Sequence, residues 1–245
     1  MKPKELLFAH RYSEAVEAFL NHMVDHPQDN YYNGLGLAFI CLKRFHEAIS
    51  SFTHDNEIEA KRTKGSCPSV NWMGAALWLM GEKADAMQEW RRAVSGILDG
   101  VIHYGDAAGG AMQGLLLWYG AVTLKDTDEH EYALRYLRSL KSKKVYGSAV
   151  LWPRPIIMMV LREKSFEDVL KTGADSLKLS ECIENGKNDL LKRRQLCQIL
   201  FYSACLEREK GDEIACMEKM RACFQLENPI LQPEWYLARG ECKTT

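Results

Sequence analysis

The segment Gly105-Asp106-Ala107-Ala108-Gly109-Gly110 leads into an apolar helical run, a setting in which free backbone N–H groups can cradle a phosphate. No Gly-Lys-Ser/Thr follows it and no strand pattern precedes it, so neither nucleotide fingerprint is met. The segment reads instead as a tight turn and a closely packed helix. The stretch from Asp99 to Asp106 still gathers two carboxylates, the His103 imidazole and the Tyr104 phenol, a set that a binding loop on a rigid scaffold could use. His22 and His26 share one helical face with Asp25 between them. A zinc site needs three or four ligands, however, and Pro27 ends the helix at once, so solvated histidines are expected there and no metal. No Gly-x-Ser-x-Gly elbow occurs, and no cysteine sits in a local signature with a partner histidine, so neither an enzyme nor a cofactor is expected.

Other reactive groups have equally plain readings. The basic runs Lys141-Ser142-Lys143-Lys144 and Lys192-Arg193-Arg194 are short and fit solvated faces or helix C-termini. Lys plus Arg number 32 against 33 for Asp plus Glu, a net charge of -1 that supports neither a nucleic-acid nor a membrane-surface binder. The eight cysteines include no C-x-x-C pair, and several lie in helical apolar patterns. They read as small buried side chains in a reducing compartment, with Cys67, beside Gly65 and Pro68, the most exposed. The N-terminus lacks the apolar core of a signal peptide, and the longest apolar run, Ile156 to Leu161, is far short of the ~20 residues that span a bilayer. A cytoplasmic location is the expectation.

The elements that would carry these groups are helices. With 245 residues, 47% hydrophobic and 27% charged, the chain can bury a core without staples. No alternation long enough for a strand occurs. Ala15 and Phe19 recur 33 residues later as Ala48 and Phe52, and Tyr12 recurs as Phe45. A second copy runs Gly74, Leu77, Gly81, Ala86, Trp90, Ala93, and a third places Gly211, Cys216, Met220 and Cys223 at the same steps. Between the clear repeats, at about 10–55, 70–97 and 197–228, the middle of the chain (107–185) is divergent. It reads as an apolar helix at 107–124, an amphipathic one at 129–140, another at 151–163 and a short one after Ser165 that opens on a capping-box-like Asp168. A helix at 189–210 precedes the third copy. Ten to twelve helices in antiparallel pairs are expected.

Tyr32, Leu35, Gly36, Phe39, Phe45, Ala48 and Phe52 resemble the tetratricopeptide repeat at that family's spacing. The resemblance implies an all-α fold, a single domain over 1–245 built as a right-handed solenoid of stacked helix pairs. In such a stack the first helix of each pair lines a concave groove, so Asn33, Leu37, Asn71, Trp78 and Trp118 are expected to face a protein partner. Asp99, His103, Tyr104 and Asp106 join them from the loop. Repeat domains that grip a chaperone's C-terminal carboxylate add Lys and Arg to such asparagines, which the neighbouring positions here lack.

A longer resemblance covers most of the chain. The runs Gly74–Leu79, Ala93–Gly100, Tyr104–Gly110, Gly114–Tyr119 and Tyr236–Arg239 look like tetratricopeptide-like immunity proteins of bacterial polymorphic toxin systems. That likeness implies stoichiometric capture of a cognate toxin. The alternative is a general adaptor that holds a partner's peptide in the groove. The apolar 107–124 helix could also pair two copies.

Overall fold

The structure, a computed structural model, describes residues 1–27, 29–63, 69–102, 110–142, 152–173, 190–228 and 232–243. His103, Tyr104, Asp106, Cys67 and all of residues 174–189 lie outside them. The chain is all-α: 13 helices and no strand are found among the described residues. It divides into two compact units, Met1–Tyr104 and Gly105–Thr245.

The first unit holds α1 (Pro3–Phe8), α2 (Tyr12–Asp25), α3 (Tyr32–Cys41), α4 (Phe45–Thr63), α5 (Val70–Met80) and α6 (Lys83–Leu98). Each packs on the helix before and after it, and α1 also reaches α3. The second unit holds α7 (Ala111–Leu124), α8 (Thr127–Ser142), α9 (Arg154–Val160), α10 (Phe166–Gly173), α11 (Leu190–Glu209), α12 (Glu213–Gln225) and α13 (Pro233–Glu241). Here α11 is central, touching α7, α9, α10, α12 and α13. The count exceeds the expected ten to twelve because α1, six residues long, is too short to show a period.

One turn recurs. His10, Lys43, Gly81, Lys125, Arg162 and Gly211 all have φ between 57° and 95° in the left-handed region. In every case the following residue's N–H bonds a carbonyl five residues back, as in Arg44 N–H to Phe39 O and Asp126 N–H to Ala121 O, both 2.9 Å. This is the Schellman closure, which satisfies carbonyls that a helix end would otherwise leave bare. Five of the six sit two residues before the next helix, so one turn shape sets the reversal of α1–α2, α3–α4, α5–α6, α7–α8 and α11–α12.

The packing inside three of these hairpins also repeats. Counting from Gly36, Gly74 and Ala204, the left-handed residue falls at +7 (Lys43, Gly81, Gly211). A buried small residue falls at +12 (Ala48, Ala86, Cys216), and a fully buried large one at +16 (Phe52, Trp90, Met220). The two glycines let the facing rings come close: a Cβ on Gly36 would lie 2.5 Å from Phe52 Cε1, and one on Gly74 2.6 Å from Trp90 Cε2. The α7–α8 hairpin shares the turn but not this register. Its glycine, Gly114, meets Tyr136, and the Tyr136 hydroxyl donates to the Gly110 carbonyl at 2.9 Å.

The short helix after Ser165 opens with the expected reciprocal cap. Asp168 accepts from Ser165 N–H (3.2 Å), and Ser165 Oγ accepts from Asp168 N–H (3.1 Å).

Candidate functional site

Packing decides what each expected binding residue can do. Leu37, Trp78 and Trp118 are 4%, 6% and 0% exposed, so they present almost no surface to a partner. Trp78 stacks on Trp90 with centroids 5.7 Å apart, under the Lys83 ammonium at 5.2 Å. Trp118 lies 6.4 Å from the Tyr202 ring. The helical register placed Trp78 correctly on its helix. It could not show that α5 is buried on nearly every side between α4 and α6.

Asn33 and Asn71 are half-buried. Asn33 Nδ2 donates to Ser69 Oγ at 2.7 Å, and Ser69 Oγ in turn donates to buried Asp55. Asn30 Nδ2 reaches both Asp55 and Glu59 at 2.8 Å, and Ser69 N–H donates to Asn56 Oδ1 at 3.1 Å. Asn33 thus belongs to a polar layer that pins α3, α4 and the start of α5 together, whereas Asn71 Oδ1 is buried without a hydrogen bond. Asp99 is exposed at the end of α6. It sits between Leu98 (45% exposed) and Val101 (65% exposed), while Ile102 turns inward onto Gly96 and the Val70–Ala93 cluster. An anchored turn therefore offers two aliphatic side chains and a carboxylate to solvent. Neither aliphatic stands out in the sequence, since single apolar residues at helix ends are common.

The second unit carries a cleft of about 610 Å³ between the α7–α8 and α11–α12 turns and the end of α13. Lys125, Arg208 and Lys210 line it together with Asp126, Glu209, Glu213 and Glu241. Arg208 is its centre. Its Nε donates to Glu213, Nη1 to Thr123 Oγ1 and Nη2 to Glu241, each at 3.1 Å. These carboxylates hold the guanidinium charged well above its ordinary range, against the opposing cost of burial. Tyr119 Oη donates to the other Glu241 oxygen at 2.7 Å, and burial beside that carboxylate raises the phenol well above its usual value. On the opposite wall Glu209 takes His130 Nε2 at 2.6 Å and the Arg162 guanidinium. Arg208 stands at +4 in the repeat register, where the other hairpins have Ile40 and Trp78. That register could have found it.

A second polar cluster is sealed inside. Glu234, fully buried, accepts from Gln198 Nε2 (3.0 Å) and Tyr202 Oη (2.9 Å), and the Trp152 indole N–H donates to Gln198. Its other oxygen has no partner, and burial raises its pKa from the ordinary 4.5. The Lys192–Arg194 run, expected on a solvated face, departs from that reading: Arg193 is buried and pairs with Glu227 at 3.1 Å.

Among the described residues no group of three or more His, Cys, Asp or Glu side chains could hold a metal ion, and no helix is long and apolar enough to cross a membrane. Comparison with protein-family models, with curated proteins and with solved structures gives no match.

Proposed function

We propose that this chain is a helical-repeat protein of the tetratricopeptide type that works by binding a protein partner, and that the partner is a toxin domain which it covers and so inactivates. The observation that carries the reading is the shared packing of α3–α4, α5–α6 and α11–α12, with one turn and one set of small and large positions in each. Hairpins so built are stiff, and a stiff surface loses little conformational entropy on docking. The resemblance of the Gly74–Leu79, Ala93–Gly100 and Gly114–Tyr119 runs to immunity proteins supplies the toxin as partner.

Since the tryptophans are spent on the core, the contact falls to the Leu98–Asp99–Val101 turn. Its aliphatic side chains are exposed while Ile102 holds the backbone behind them, as an interface anchor requires. Affinity capture of the tagged chain from its host, with sizing of the complex, tests the reading. A salt-resistant 1:1 complex with one toxin domain supports it, provided that Leu98→Asp with Val101→Asp weakens binding at least about tenfold without unfolding the chain. Recovery of several weakly held partners, or of a chaperone by its tail, would sink the toxin reading and leave a peptide adaptor.

A further inference from the structure

Cys197 on α11 and Cys223 on α12 are fully buried, and their sulfurs lie 3.5 Å apart. The Cys223 thiol also donates to the Cys197 carbonyl at 3.4 Å, which fixes its rotamer against the neighbouring helix. A disulfide needs about 2.05 Å between sulfurs, so closure asks for roughly 1.5 Å of approach across an already packed pair of helices. In the repeat register these are positions −7 and +19 of the hairpin. The equivalent pairs are Asp29 with Asp55 and Cys67 with Ala93, so only the α11–α12 hairpin has sulfur at both.

We infer that Cys197 and Cys223 are a redox pair, which a hydroperoxide converts to an intramolecular disulfide clamping α11 to α12. One thiolate attacks the peroxide oxygen, giving a sulfenic acid and releasing water or alcohol. The second sulfur then displaces water from it. Two thiols lose two electrons and two protons, and one hydroperoxide is reduced. Burial keeps the reaction slow. The Cys197 thiol is raised well above its ordinary range by burial and by its neighbours Cys223 and Glu234, so little thiolate is present until the hairpin opens. Half-buried Cys41 and Cys242 are more open to solvent than this pair and react first. Once formed, the bond closes a loop around the α11–α12 turn and restricts the unfolded chain.

The test is prolonged exposure of the folded chain to hydrogen peroxide, thiol blocking in denaturant, and non-reducing peptide mass mapping. The expected product is a linked Cys197–Cys223 peptide about 2 Da lighter than the two thiol peptides together, restored by reductant. The melting temperature of the oxidised chain should rise by several degrees. Cys223→Ala should abolish the linked peptide and leave Cys197 open to blocking. Recovery of both cysteines as separately blocked or over-oxidised peptides, with other cysteines already oxidised, would overturn the pair.

Discussion

The Trp90 indole fills the space that a side chain on Gly74 would need: a Cβ there would lie 2.6 Å from Cε2 and closer still to Nε1. Trp90 is itself fully buried and cannot swing away. Gly74→Ala should therefore cost about 1–3 kcal/mol by overpacking. Gly81→Ala should cost about 1 kcal/mol for a different reason, since a Cβ there meets nothing but φ is +95°. Urea unfolding followed by circular dichroism separates them. Trp90→Phe should soften the first penalty and leave the second untouched, and equal effects on both would refute the steric account.

Lys43 holds a left-handed turn position (φ 60°) that glycine fills in two of the equivalent hairpins, and it is exposed. Lys43→Gly should stabilise the chain by about 0.5–1 kcal/mol, the backbone relief exceeding glycine's extra freedom when unfolded. A melting temperature that falls would mean the lysine side chain contributes more than its backbone costs.

Glu234 makes stability depend on pH. Because its folded pKa lies above the unfolded 4.5, the folded state holds the proton more tightly. The stabilisation is complete below about pH 4.5 and is lost as pH rises through the folded value, at up to about 1.4 kcal/mol per pH unit. Glu234→Gln keeps an oxygen for Gln198 and Tyr202 and should flatten the profile above pH 4.5. An unchanged slope in pH-resolved urea titrations would assign the dependence elsewhere.

Arg208→Ala should cost about 3 kcal/mol, because the largely buried Glu241 loses its guanidinium and Thr123 and Glu213 lose a donor. Arg208→Lys should recover only part of this, as a single ammonium nitrogen cannot reach the three sites that Nε, Nη1 and Nη2 contact separately. Thermal melts of both variants decide it. A lysine variant as stable as the parent would show that charge, not the forked geometry, organises the cleft.

The repeat was legible because its signal is local. Gly36 with Phe52, and Gly74 with Trp90, sit within one hairpin at a fixed spacing, and the turn between leaves glycine as a mark at Gly81 and Gly211. Lys43 and Lys125 make the same turn without that mark and passed unseen. Exposure was less legible. A continuous apolar helix such as α5 shows which residues share a face but not how many neighbours cover it, so its sequence does not reveal that Trp78, like Trp118 on α7, is buried. The cleft joins Tyr119 to Glu241 across 122 residues, a distance over which no periodicity carries information.

The central position of α11 has a kinetic side. In the first unit nearly all packing joins helices adjacent along the chain, so native contacts can form by short-range search and propagate hairpin by hairpin. In the second, α11 must wait for α7 from one side and α13 from the other. Pulsed hydrogen exchange during refolding should find α3 to α6 protected first and the amides of α11 late, whereas simultaneous protection would mean that both units cross a single barrier.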